Sequence, residues 1–180
     1  MPPLVIAVNQ ILSLLAIIAQ IIIVGLFLVL LLDKNRVFFS FIKKYALLFS
    51  FIVALTATLG SLFYSEIAGF EPCKLCWFQR IFMYPQVILL GLALIKKGRE
   101  IVAYTIGLSL PGAVIAGYHY LLQLGVVPSL SCSVVGYSVS CSQRFVMNFG
   151  YITIPLMSFT AFLLIILLQL TKRGYNKNAI

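Results

Sequence analysis

Acidic residues are almost missing from this chain. Four Asp and Glu stand among 180 residues against thirteen Lys and Arg, and charged residues make up only 9% of the whole, where soluble domains carry roughly 25%. That shortage excludes a soluble domain with an ordinary charged surface. It also leaves no paired membrane carboxylates of the kind a proton pump needs. There is one histidine and one tryptophan, and no HExxH, phosphate-binding glycine loop or dinucleotide fingerprint, so hydrolase and ATPase chemistry lack their residues. Cysteine is scarce as well: there are four, Cys73, Cys76, Cys132 and Cys141, and none lies in the middle of an apolar run.

What is abundant is apolar sequence, 62% of the chain. Residues 4–32, 45–65 and 145–171 carry no charge, and 101–122 carry only His119. Each is long enough for the roughly 20 residues that cross a bilayer. A further apolar segment, 81–95, reaches that length only if its helix starts back in the cysteine motif. Five transmembrane helices and no soluble domain are expected, an all-α polytopic membrane helix bundle. The first run lacks a basic n-region and a small-x-small cleavage site, so it is expected to remain as an uncleaved span.

A net charge of +9 would point to nucleic acid in a soluble protein, but here the placement of the charges decides. Lys34, Arg36, Lys43 and Lys44 lie between the first two runs, Lys96, Lys97 and Arg99 between the third and fourth, and Lys172, Arg173 and Lys177 after the fifth. A five-helix chain puts all of these on one side, leaving Lys74, Arg80 and Arg144 for the other. The positive-inside rule then places the N-terminus and the loops 66–80 and 123–149 outside the cytoplasm, with no nucleic-acid partner.

All four cysteines fall in those two extracytoplasmic loops, where disulfides persist. Three readings compete: two structural disulfides, a four-cysteine zinc site, and a relay in which one pair exchanges with the other. Eight residues separate Cys132 from Cys141, more than the two to four usual between zinc ligands, and no metal is expected. The stretch EPCKLCWFQR, residues 71–80, favours the relay. Pro72 suits the first helical position and Glu71 then stands as N-cap, which puts both cysteines in the first turn, where the helix dipole and nearby cations favour thiolate. Arg80, four residues after Cys76, shares its face one turn deeper. A cation there needs a partner, either a thiolate, a polar group of a bound cofactor, or lipid headgroups. Trp77, Tyr118, Tyr120 and Tyr151 fit an interfacial aromatic belt, and Pro85, Pro111 and Pro155 are candidate kinks.

EPCKLCWFQRIFMYPQVILL resembles the first catalytic loop and following helix of the disulfide bond formation protein B (DsbB) family, closest to its BdbC-type members. GYHYLLQLGVVPSLSC resembles the helix end and His-x-x-x-Gln leading into that family's second loop, and CSQRFVMNFGYITIPLMSFTAF its exit and last helix. The resemblance spans about residues 45–172 and implies a four-helix catalytic bundle there. Residues 1–44 are then an extra N-terminal helix with a basic cytoplasmic loop, and 173–180 a cytoplasmic tail.

What the resemblance implies is a cell-membrane thiol:quinone oxidoreductase. It would reoxidise an extracytoplasmic DsbA-like thioredoxin-fold thiol oxidase and draw ubiquinone or menaquinone from the membrane lipid. The partner would exchange with Cys132–Cys141, Cys141 would attack the first pair at Cys73, and Cys76 would face the quinone, with Arg80 and His119 beside it. A vitamin K epoxide reductase-like enzyme has its cysteine pairs in the opposite order. A non-enzymatic membrane protein with two structural disulfides is the remaining alternative.

Overall fold

The computed structural model describes residues 2–32, 36–96, 101–127 and 140–174. Among the described residues five α-helices stand out: α1 Pro3–Leu32, α2 Arg36–Leu62, α3 Lys74–Lys96, α4 Ile101–Leu124 and α5 Ile154–Gly174. Each contains a stretch long and apolar enough to cross a membrane: Pro3–Val29, Phe41–Ile67, Lys74–Lys96, Ile101–Leu124 and Ile154–Lys172. Many large apolar side chains point outward, Ile88, Ile95 and Val114 among them. Such faces are stable only against lipid.

Helices α2 to α5 close a ring in which α2 packs on α3, α3 on α4, α4 on α5 and α5 back on α2, while α1 lies against α5 from outside. The ring's core holds Leu90, Ala116, Phe162 and Ile165, all fully buried. Close approach of α4 and α5 depends on Gly112, where an added Cβ would collide with the Phe162 ring. With lipid as apolar as leucine, such small-residue contacts supply much of the packing between membrane helices.

One end of the bundle sets up the site. Helix α2 widens into a π turn, Phe63–Ile67, with Ala68 N–H donating to the Phe63 carbonyl at 2.9 Å. Gly69, at φ 69°, then reverses the chain as a left-handed residue can. The loop expected over 66–80 is therefore only residues 68–73, because helical structure runs in from both sides. Helix α4 ends in a Schellman motif: Val126 N–H reaches the Leu121 carbonyl and Gly125 N–H the Leu122 carbonyl, with Gly125 at φ 77°. Phe149 and Gly150, both at positive φ, turn the next segment so that Asn148 and Ile152 pair. Thr153 accepts from Met157 N–H, so Pro155 sits in the first turn of α5. Proline is tolerated there, and the kink expected at Pro155 is replaced by a helix start.

Candidate active site

The site is built on the start of α3. Trp77 N–H donates to the Cys73 carbonyl at 3.1 Å, which makes Cys73 the N-cap, not Glu71 as the sequence suggested. The physical reason is Pro72. A residue before proline is driven to extended backbone, so Glu71 stays out of the helix and the first helical bond falls two residues later. Cys76 is then the third helical residue. In capping boxes the side chains of these two positions lie close together at the helix start, and here both are thiols. Cys73 Sγ donates to Cys76 Sγ at 3.4 Å. The pair is a dithiol.

Cys73 is buried and Cys76 half-buried. The hydrogen bond to Cys76, followed by burial, pushes the Cys73 thiol from its ordinary 9.0 up to about 12, with His119 pulling the other way. Cys73 therefore keeps its proton through the neutral range. At pH 8 a thiol held there is ionised about a thousandfold less than an ordinary one, and the stronger nucleophilicity of a more basic thiolate recovers only about 20-fold. Alkylation of Cys73 in the reduced protein should thus run roughly fiftyfold slower than at an unperturbed cysteine. It should accelerate only as the pH approaches 12. Peptide mapping after a timed iodoacetamide pulse measures this, and an ordinary rate at pH 8 would contradict the arrangement.

His119, 1% exposed, fills the space behind the dithiol. Gln79 Nε2 lies 3.0 Å from its Nδ1, and its Nε2 lies 3.0 Å from the Cys141 carbonyl oxygen and 3.7 Å from Cys73 Sγ. An amide donor on one side and a carbonyl acceptor on the other assign the proton to Nε2. The ring thus ties α3, α4 and the returning segment into one cluster, in which Cys73 and Cys141 pack with Leu122. Gln123 Nε2 donates to the Gln143 carbonyl at 3.0 Å, and Arg144 Nε donates to the Gln123 carbonyl at 2.7 Å, with its Nη2 on the same oxygen. A cation closing the carbonyl end of α4 is favourable, and it holds the Cys141 segment over the dithiol. Stacked rings of Tyr64, Phe70 and Phe145 continue the clamp to the π turn.

Arg80 turns toward α2. Its Nε donates to Ser61 Oγ and its Nη2 to the Ser61 carbonyl, both at 3.0 Å, and Tyr84 OH joins Ser61 Oγ at 3.3 Å. The guanidinium also stacks over Trp77, 5.3 Å from the ring centroid. The partner that this membrane arginine needs is thus a serine on the neighbouring helix. Tyr118, expected in an aromatic belt, packs against the cysteine cluster instead.

Two cavities meet at Cys76. One, of about 330 Å³, is apolar and lies between α1, α2, α3 and α5, with Cys76, Arg80, Ser61, Tyr84 and Glu71 at its polar end. The other, about 20 Å³, is bounded by Cys73, Cys76, His119, Gln123 and Cys141. The structure therefore brings Cys73, Cys76, Cys141 and His119 together and sets Arg80 at the mouth of the larger space. Cys132 lies outside the described residues. Gln79, Ser61 and Tyr84 carried no expectation. Gln79 had a signal, a glutamine in an apolar run three residues after Cys76 and so on its face, whereas Ser61 had none. The expected absence of metal finds no support in the geometry, since the ligand atoms of Cys73, Cys76 and His119 lie within 4.8 Å of one another.

These features define a multi-pass membrane protein with a dithiol at a helix N-terminus and a third cysteine packed on it. The chain belongs to the DsbB family: the family model described as "Disulfide bond formation protein DsbB" matches residues 43–171. "Disulfide bond formation protein C" of Bacillus subtilis (strain 168) is 40% identical over 146 residues, covering 78% of this chain and 96% of the relative. "Probable disulfide formation protein C 1" of Bacillus anthracis is 42% identical over 123 residues, 68% of this chain and 88% of its own. The "SPbeta prophage-derived disulfide bond formation protein B" of Bacillus subtilis (strain 168) is 45% identical over 125 residues, 69% and 82% of the two chains. No solved structure matches it. Family membership supports an oxidoreductase role in disulfide bond formation.

Proposed function

We propose that this chain is a thiol:quinone oxidoreductase of the plasma membrane that reoxidises a DsbA-like thioredoxin-fold partner on the extracytoplasmic side. Residues 45–172 are its catalytic bundle, preceded by the helix and basic loop of 1–44 and followed by a cytoplasmic tail, 173–180. The observation that carries this is the position of Cys76. Its sulfur borders both the small cavity shared with Cys73 and Cys141 and the large apolar cavity open to a lipid-soluble acceptor.

The steps follow from exchange chemistry. The partner's dithiol reduces Cys132–Cys141, and its own disulfide forms. Cys141 attacks Cys73 of the oxidised first pair, so the Cys141–Cys73 bond forms while Cys73–Cys76 breaks and its electron pair leaves on Cys76. Cys132 then attacks Cys141, restoring Cys132–Cys141 and leaving Cys73 and Cys76 as the dithiol seen here. The buried contact of Cys73 with Cys141 suits the first exchange, and the Cys73 S–H bond to Cys76 holds the proton that must leave when the pair closes again. His119, its ring fixed by Gln79, keeps the Cys141 backbone in place.

The large cavity fits a quinone, ubiquinone or menaquinone. It is of ligand size, apolar along most of its length, and offers an arginine and two hydroxyls at the end where Cys76 stands. A bound quinone supplies a two-electron, two-proton acceptor. Arg80, held by Ser61, presents a fixed cation there, as preorganised donors do where negative charge develops.

A second reading rests on the Cys73, Cys76 and His119 cluster, since two thiolates and an imidazole are a common zinc set. One experiment separates the two. Purified protein in detergent, with chelator present, is given a reduced thioredoxin-fold donor and a soluble quinone. Catalytic quinone reduction supports the oxidoreductase. No turnover, with stoichiometric zinc released only by strong chelation, would replace it with a structural metal site.

A further inference from the structure

Helix α1 precedes residue 43, where the family model begins, and it is fastened to the bundle by polar contacts along one stripe. Tyr64 OH donates to Asn9 Oδ1 at 2.6 Å, and Asn148 Nδ2 donates to Ser13 Oγ at 2.7 Å and to the Asn9 carbonyl at 3.2 Å. One turn and more inward, Gln20 Nε2 reaches Thr160 Oγ1 at 3.4 Å and Tyr151 OH reaches Gln20 Oε1 at 3.1 Å. Polar bonds of this kind position helices in lipid, where apolar contact alone does not distinguish a protein neighbour from a fatty chain. Residues 9, 13, 16 and 20 follow helical spacing, so α1 is held in a set rotation.

The helix is also held apart from α2 between its two ends. It packs on α5 and meets α2 near its two ends: Leu26 shares a buried cluster with Ile42 and Ala46, and at the outer pinch Leu12 meets Gly60 and Asn9 meets Tyr64. Below that pinch the two helices leave a slot, which is the larger cavity, walled by Ala16, Ala19 and Ile22 on α1 and by Ile52 and Ala57 on α2. Ile22 and Ile52 are about half exposed, 45% and 47%, so the slot opens sideways into the bilayer at that depth. Its other end is Cys76 and Arg80.

We propose that α1 builds the tail channel of the acceptor site: the isoprenoid chain of the quinone lies in the α1–α2 slot and leaves the protein between Ile22 and Ile52. This rests on the quinone-linked function proposed above. A phospholipid chain is the other conceivable occupant, but its phosphate would meet Glu71 and a single cation already bonded to Ser61. An uncharged ring with carbonyl oxygens suits that end better.

Equilibrium binding tests this without turnover, using quenching of Trp77, the chain's one tryptophan, by a decyl-tailed benzoquinone and by its methyl-tailed counterpart. Ala19→Phe fills the slot. Excluding about two methylenes from apolar contact should weaken the decyl compound about tenfold and leave the methyl compound unchanged. Leu14→Phe, on the lipid face, should change neither. Equal affinities of wild type and Ala19→Phe for the decyl compound would overturn the proposal and leave the slot to lipid. If Ala19→Phe loses both ligands, Ile22→Ala decides, because it removes channel wall without collision. It must weaken the decyl compound alone, and unchanged decyl binding there overturns the proposal. Wild type that quenches with neither compound would overturn the quinone-linked function itself, and the channel with it.

Discussion

Cys76→Ser is expected to abolish thiol-to-quinone turnover, a loss on the order of 10³-fold or more, because the hydroxyl that replaces the sulfur can neither form the second disulfide nor leave as a stable anion. The reaction should stop at a defined place. The partner can still reduce Cys132–Cys141, but Cys73 without Cys76 offers Cys141 no disulfide to attack, so Cys73, Cys132 and Cys141 should accumulate as thiols and appear as alkylated cysteines by peptide mapping. The variant should fold normally, since Cys76 is half-buried and serine is smaller. Turnover within about tenfold of wild type would remove Cys76 from the relay.

Arg80→Met should lower turnover by about 10²- to 10³-fold, the range found when one preorganised donor is removed from a developing anion. Arg80→Lys should recover little. Arginine holds Ser61 through two separate nitrogens, to the hydroxyl and to the carbonyl, while lysine's single ammonium lacks that fork and its flat face over Trp77. Slow alkylation of Cys73 should persist in both variants, because it stems from Cys76 and from burial and not from Arg80. If Arg80→Met keeps turnover within about threefold, the arginine serves as an anchor at the membrane interface and its position beside Cys76 is incidental.

Much of the site was legible along the chain because its parts are local. Cys73 and Cys76 are three residues apart on one helix start, and Gln79 and Arg80 follow within one turn, so helical spacing alone places them near one another. The segment 81–95 was correctly expected to begin its helix in the cysteine motif, since it is too short to cross a membrane otherwise. The helix start itself was placed two residues early, at Glu71, because a proline is equally compatible with the first helical position and with the extended residues before it. The partners of Arg80 and His119 were not legible. Ser61 stands nineteen residues from Arg80, and the Cys141 carbonyl twenty-two from His119. Nothing in the local pattern of Ser61 distinguishes it from any other serine at a helix end.

By itself the sequence determined the number of spans, and its charge placement and cysteine order set the expectation, carried into the proposed function, that both cysteine pairs lie on one side. These depend on length, charge and order along the chain, which a bilayer converts directly into topology. Only the tertiary structure decided that α1 docks on α5 and parts from α2 between its two ends, that a cavity between them reaches Cys76, and that His119 bridges Gln79 and the Cys141 backbone. In a membrane helix both the lipid face and the packed face are apolar, so hydrophobic periodicity does not mark which side meets a neighbour. That choice was left to a few small and polar residues, Asn9, Ser13, Gln20, Gly60 and Gly112, whose partners lie far away along the chain.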